Sequence, residues 1–441
     1  MKNSYKWLLL ALLSCAFFFH QADRALFGLL TIPIQDELKL TDVQIGWINT
    51  TLSWTLAVMT VVAGFLGDRF SRKWLITCSL MFWSLMTVGM GYVGNYQVLG
   101  FAISAYACVM FFRSIATGGG ESFYAPSAYA LLAVHHRETR SAAMSVHQAA
   151  LYIGLMTSGA LVAWILGGLK SSAWVVAHFG EKGFWRPVFV IFGLLGFLLG
   201  VLFIFVLRDG GRDGASSSSA TPASVGGNSL LEGLRAYFCN PSALCATAGF
   251  VAIVFVNNAY LFWAPKFAAE KFALDVGEAG KGVMLWHHLF AFGAILLGGV
   301  VTDRFVSRMP RFRLGFQILA LLCGAPMLLW IGLAPSFTAM LLAAASYGVF
   351  RGFFEVNTHA SLFDVVAPKY RSTAVGLLNM IAFFFGGLSG VVMGVLSQKY
   401  GVRGFEIGFA IMAGSYVLAA VLMVISFFFT FHRNRVVELT S

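Results

Sequence analysis

Six ionisable side chains stand inside long apolar stretches of this sequence: Asp23 and Arg24, Arg113 and Glu121, Arg351 and Glu355. A charge in such surroundings is costly enough to be a functional candidate by default. Spacing groups them further. His20, Asp23, Arg24 and Phe27 recur at i, i+3, i+4 and i+7 and so share one helical face, and Arg351, Glu355 and His359 do the same at successive i+4 steps. A guanidinium is a planar, permanently charged fork suited to a carboxylate. Burial and a neighbouring cation pull a carboxyl's proton affinity in opposite directions, so occupancy by a proton and by an anion can be linked at such a site. The chemistry on offer is anion binding coupled to protonation. The plainer alternative is that Asp23 with Arg24 and Arg113 with Glu121 are structural pairs.

Other polar positions in apolar runs could complete a cavity: His147, Gln148 and Tyr152, then Asn257 and Asn258, His287 and His288, and Asn379. Singly, each is commonly an interhelical hydrogen bond. Tyr152, Asn258 and Asn379 are taken forward as candidate ligand contacts. His135 and His136 fall in a loop and read as solvated surface.

The elements that must hold these residues are membrane-crossing helices. Of 441 residues, 59% are apolar and 11% charged, and the mean hydropathy is +0.79; a soluble enzyme would need far more polar surface. Runs long enough to cross ~30 Å of hydrocarbon lie near 7–30, 43–67, 74–95, 104–133, 142–168 and 185–207. Six more lie near 242–265, 282–302, 313–334, 336–364, 373–398 and 404–431. The boundary between the third and fourth is the least defined, because 96–103 is also apolar. Between the two sets, 208–241 is polar and rich in Gly and Ser, the composition of a linker. Lys2 and Lys6 followed by an apolar run imitate a signal peptide, but cleavage would destroy the first span, so this segment reads as an uncleaved helix. The six cysteines stand apart, without metal-ligand spacing, and read as packing residues. Neither a cofactor nor a metal is expected.

The layout places 18 of the 30 Lys and Arg on the side of the N-terminus, 9 opposite and 3 within spans. By the positive-inside rule both termini and the linker face the cytoplasm. The formal charge of +11 is thereby explained without a nucleic-acid partner, for which no basic and aromatic surface is evident. The halves also repeat: Asp68-Arg69-Phe70 returns as Asp303-Arg304-Phe305, Arg140-Ser141-Ala142 as Arg371-Ser372-Thr373, and Arg113 as Arg351, at offsets of 235, 231 and 238.

The loop GFLGDRFSRK over 64–73, with Gly64, Asp68, Arg69, Arg72 and Lys73, resembles the signature between the second and third helices of the major facilitator superfamily, with Ser71 where Gly is usual. The resemblance implies an all-α membrane protein of twelve transmembrane helices in two pseudo-symmetric six-helix bundles. The bundles would cover 1–207 and 242–441. It also implies that the loop acts as an ionic latch in gating, with Asp303 and Arg304 as its counterpart. HQADR at 20–24, RSIATGGGESFYAP at 113–126 and SYGVFRGFFEVN at 346–357 further resemble the anion:cation symporter family, which moves sugar acids and other organic anions, usually with protons. That resemblance implies that Arg24 holds a substrate carboxylate and that Asp23 and Glu121 couple protons, with Arg113 as charge partner. Arg351 and Glu355 are their candidates in the second half. Here the Arg and Glu of the fourth helix stand eight positions apart rather than seven. The extra residue turns Glu121 by ~100° unless a bulge, or an unwound turn at Gly118-Gly119-Gly120, corrects it.

The expected function is therefore secondary transport of a small organic anion by alternating access, coupled to a proton or to sodium, by a monomer in the cell membrane. The same stretch resembles the spinster-like transporters too, which keeps lipid or drug movement as an alternative, beside a sensor without flux. Catalysis finds no triad, metal spacing or phosphate loop, and GGGE at 118–121 lies within a span.

Overall fold

A computed structural model describes residues 2–67, 70–98, 100–136, 139–208, 227–306, 308–309 and 311–436. It is helical almost throughout. The first half contains α1 (Lys2–Leu29), α2 (Thr31–Leu38), α3 (Asp42–Gly67), α4 (Arg72–Met90), α5 (Ala105–Val109), a π-helix (Met110–Ala116), α6 (Thr117–Glu121), α7 (Tyr124–His135), α8 (Arg140–Leu169), α9 (Ala173–Phe179) and α10 (Arg186–Val206). The second half contains α11 (Gly227–Phe238), α12 (Pro241–Phe272), α13 (Val276–Val306), α14 (Phe312–Leu333), α15 (Phe337–Glu355), α16 (Thr358–Phe363), α17 (Arg371–Gly387), α18 (Ser389–Tyr400), α19 (Val402–Ile425), a π-helix (Ser426–Thr430) and α20 (Phe431–Asn434).

Among the described residues, eleven helices are long and apolar enough to span a bilayer. The fourth crossing, over 105–135, is composed of shorter pieces and breaks at 122–123. The apolar stretch at 96–103 belongs to neither neighbouring span. It forms an antiparallel hairpin, Tyr96–Val98 with Phe101–Ile103. Part of the stretch read as a linker, Gly227–Phe238, is helical, while 209–226 lies outside the described residues. The seventh crossing runs to Phe272 rather than ending near 265.

The chain divides into two compact units. The first comprises Met1–Ser218, Ala259–Leu285 and Gly390–Lys399; the second comprises Ser219–Asn258, Trp286–Ser389 and Tyr400–Ser441. In the first unit, Leu9, Leu13 and Phe17 of α1 pack with Ile76, Leu80 and Trp83 of α4 and with Tyr124 and Leu131 of α7. Backbones approach closely at glycines, as membrane helices require when lipid supplies no hydrophobic drive between them. A Cβ on Gly154 of α8 would lie 2.5 Å from the Phe18 carbonyl oxygen of α1, and one on Gly193 of α10 would lie 2.6 Å from that of Ser84 in α4.

Polar groups pin the ends of these helices. Glu37 accepts from Trp185 Nε1 at 2.6 Å and from Arg186 Nε at 2.9 Å, while Arg186 Nη1 also donates to the carbonyls of Gly91 and Val93. The buried Lys266 of α12 pairs with Asp42 at the start of α3 and donates to Gln35 Oε1 of α2 at 2.7 Å. Asp42 accepts in turn from Ser397 Oγ of α18 at 2.6 Å. One lysine thus ties together segments distant in sequence.

The second unit is built on α14, which packs against α15 and α19. Arg313 Nη1 of α14 reaches Asp364 Oδ1 at 2.7 Å, just beyond α16. Tyr237 of α11 shares a 2.5 Å hydrogen bond with Thr247 of α12, which attaches that short helix to a span.

Because carbonyl backbone cannot retreat as a flexible side chain can, Gly154→Ala is expected to destabilise the protein by about 1–3 kcal/mol. Gly414→Ala in α19 meets nothing within 4 Å and should be neutral or stabilising by up to about 1 kcal/mol. Thermal unfolding of the two purified variants in detergent checks this. Equal melting temperatures would remove the close-packing argument.

Candidate functional site

The charged residues of the first half converge. From α1 come His20, Asp23 and Arg24; from the π-helix, Arg113; from the end of α6, Glu121; and from α4, Thr87. Arg113, 1% exposed, donates through Nη2 to the backbone carbonyl of Arg24 at 2.8 Å, with Nη1 lying 3.9 Å from Asp23 Oδ2. Thr87 Oγ1 donates to the same Asp23 oxygen at 3.2 Å. Glu121 Oε2 lies 3.9 Å from Arg24 Nε and 3.6 Å from His20 Nε2. The pairs are therefore crossed relative to the plainer alternative of Asp23 with Arg24 and Arg113 with Glu121. Arg113 faces Asp23, and Arg24 faces Glu121, because each acid sits closer to the other helix's cation than to its own.

The eight-residue spacing is resolved by the π-helix and not by the glycines. The Thr117 N–H bonds to the Phe112 carbonyl, five residues back, and Thr117 Oγ1 reinforces the same acceptor at 2.6 Å. A π turn holds one residue more than an α turn, so the extra residue is absorbed before Glu121. Gly118-Gly119-Gly120 stay helical. The smallness of the outer two serves packing instead: a Cβ on Gly118 would lie 2.8 Å from Leu52, and one on Gly120 would lie 2.9 Å from Phe82.

An aromatic wall closes one side. His20 packs edge-on to Trp83 at 5.1 Å and stacks with Tyr124 and Phe17 at 5.9 Å. Tyr124 OH donates to the Leu13 carbonyl at 2.5 Å and lies 3.3 Å from His147 Nε2, placing His147 in the wall. Several buried polar atoms here have no hydrogen-bond partner: Asp23 Oδ1, both oxygens of Glu121, and the Nε atoms of Arg24 and Arg113. Arg24 is the most exposed of the four, its side chain 18% accessible against 1% for Glu121. Arg113 is committed to backbone and charge balance; Arg24 is presented.

In the second unit Arg351 Nη2 lies 3.3 Å from Glu355 Oε2, and Arg351 Nη1 lies 2.9 Å from His287 Nε2. α15 ends at Glu355, and His359 is an exposed residue of α16. Tyr152 and Asn258 are buried, and Asn379 is half-buried. Of the loop signature, Asp68 and Arg69 lie outside the described residues. Gly64 lies in α3. Ser71 caps α4 by accepting from the Trp74 N–H at 3.3 Å, which gives the serine in the glycine position a task. Arg72 opens α4, and Lys73 Nζ donates to the Ile204 carbonyl at 2.7 Å. Asp303 and Arg304 are exposed near the end of α13.

The sequence reading missed Thr87, Trp83 and Tyr124, which have no charge to single them out in apolar runs, and His287 as the neighbour of Arg351. It also missed Lys266, because its seventh span stopped at 265.

The family profile described as Major Facilitator Superfamily matches residues 12–333. The chain is 23% identical over 410 residues to the probable galactarate/D-glucarate transporter GarP of Escherichia coli strain K12, covering 88% of this chain and 86% of the relative. It is 23% identical to protein spinster homolog 1 of Xenopus tropicalis, covering 83% and 68%. The crystal structure of a bacterial homolog of the human lysosomal transporter spinster, inward-facing and occupied, superposes with a TM-score of 0.79 at 19% identity, covering 98% and 99%. The family and these relatives are transporters rather than enzymes, and a chain with so many apolar helices has its buried charges inside a multi-pass membrane bundle: this protein belongs to the Major Facilitator Superfamily.

Proposed function

We propose that this protein is a secondary active transporter that carries a small organic anion of the sugar-acid class together with a proton. The reading rests on one observation, the buried set Asp23, Arg24, Arg113 and Glu121, in which two acids and two guanidiniums keep polar atoms without hydrogen-bond partners. Leaving such atoms unsatisfied costs about 1–3 kcal/mol each, so the arrangement favours a partner that arrives and leaves. A substrate carboxylate satisfies the Arg24 fork. Its arrival competes with Glu121 for the same guanidinium, and protonation of Glu121 relieves that competition. Anion and proton then bind together because each removes the other's penalty.

Arg113 acts as a fixed charge partner for Asp23, with Thr87 orienting the acid. Arg351 takes a second anionic or polar group of the substrate, Glu355 shares in proton exchange, and Tyr152, Asn258 and Asn379 are the further candidate substrate contacts. The loop with Gly64, Asp68, Arg69, Arg72 and Lys73, and its counterpart at Asp303 and Arg304, acts in gating at the cytoplasmic ends of the helices, with both termini on that side.

Proteoliposomes loaded at neutral pH and diluted into acidic medium with labelled D-galactarate or D-glucarate test the substrate class. Accumulation is expected in the parent. Arg24→Lys and Arg24→Ala should each lower kcat/KM by at least about tenfold, since a point charge cannot replace a bidentate fork. Uptake near the parent's in Arg24→Ala, at equal protein in the membrane, would sink the anion site.

Glu121→Gln and Asp23→Asn separate coupling from binding. The amide at the coupling residue holds the neutral state, so accumulation driven by a pH gradient should be lost in at least one variant. Exchange of labelled for unlabelled substrate, which requires no change in protonation, should persist there. If both variants still accumulate substrate in response to pH, neither acid couples.

A further inference from the structure

Arg351 is held by a neighbour that leaves its charge intact. In the second unit, α13 and α15 cross at two glycines on either side of this arginine, Gly348 and Gly352. A Cβ on either would collide with backbone of α13, at the His287 carbonyl and the Ala291 carbonyl respectively. This small-xxx-small approach brings the imidazole of His287 within 2.9 Å of Arg351 Nη1. His287 is fully buried, and Tyr347 stacks on it with ring centroids 5.1 Å apart and planes within 12°. Tyr347 is itself fixed by a 2.8 Å hydrogen bond to Tyr416 OH.

Hydrogen-bond inventory then decides the tautomer. A guanidinium can only donate, so Nε2 of His287 accepts and its proton resides on Nδ1, which lies 3.4 Å from the Ala344 carbonyl oxygen. The ring is a neutral acceptor. That distinguishes His287 from Glu355 as partners of Arg351. Glu355, at 3.3 Å, offers a carboxylate that competes with an incoming anion, whereas His287 turns the fork without cancelling its charge.

We propose that His287 is a positioning residue for anion binding, holding Arg351 in a fixed orientation as a cation that can receive a carboxylate or other anionic group of the substrate. The proposal rests on the reading of Arg351 as a substrate contact. A carboxylate in place of His287 would hold the guanidinium at least as firmly and yet spoil the site, because a second acid beside Glu355 would leave the arginine surrounded by net negative charge and repel an incoming anion. Packing alone predicts the opposite order.

The test uses full-length His287→Gln, His287→Leu and His287→Glu in proteoliposomes, with D-galactarate as probe, together with the melting temperature of each variant and with Arg351→Met. A hydrogen bond to a charged group is worth enough to shift binding by about tenfold or more. His287→Leu should therefore raise KM by about tenfold with little change in maximal rate. His287→Gln, which keeps a neutral acceptor, should restore KM to within about threefold of the parent. His287→Glu should raise KM at least as much as leucine while melting no lower than the leucine variant.

A parental KM in His287→Leu or His287→Glu, or equal KM values in the Gln and Leu variants, overturns the positioning role. If Arg351→Met itself leaves KM unchanged, the substrate-contact reading beneath it fails and the proposal goes with it. No sugar-acid uptake by the parent would overturn both.

Discussion

Ionised groups in an apolar interior must be balanced within a few ångströms, and that constraint governs the first unit of this protein. Two acids and two guanidiniums occupy one volume, and each can stay charged only while another does. The helices are arranged to meet that condition. Arg113 has to reach both Asp23 and a carbonyl on α1, so the fourth crossing must present it from a π turn. Glu121 must stand beside Arg24, so the extra residue has to be absorbed before α6. The close approach of α8 to α1 at Gly154 then fixes the backbone from which two of these side chains, Asp23 and Arg24, project.

A stationary balance would make a stable bundle and nothing more. Here the balance is loose: separations of 3.9 Å in both acid–guanidinium pairs keep the charges in mutual influence without committing every donor and acceptor. Contrast Glu37, saturated by Trp185 and Arg186 at 2.6 to 3.1 Å. Tight pairs of that kind hold helix ends together. Loose ones leave room for a proton or an anion to change the partner assignment.

Much of the architecture was legible in the sequence because membrane spans announce themselves by length and hydropathy, and because a costly charge in an apolar run stands out. The crossed pairing was not legible, since it depends on which face of the fourth crossing Arg113 occupies, and a π turn leaves no mark beyond an odd spacing. Lys266 was hidden for a different reason. A lysine near an apolar boundary looks like a topology marker, and only the continuation of α12 to Phe272 buries it against Asp42. Glycine pairs such as Gly348 and Gly352 were visible, but their meaning came from what faces them across the crossing.

The two acids and two guanidiniums of the first unit also sum to zero when all are ionised, which has an electrical consequence. The net charge moved per cycle is the cargo's whatever the carrier's own charge, but an empty carrier with a neutral centre would return without working against the voltage, leaving the voltage dependence to the loaded step. A singly charged anion with one proton moves no net charge. A doubly charged anion with one proton enters against an interior-negative potential at about 2.3 kcal/mol per 100 mV, unless a second proton travels with it. On the proposed symport, two carboxyl groups at the centre would give such a cargo a place for both, and the presence or absence of a current on adding substrate to vesicles would count them.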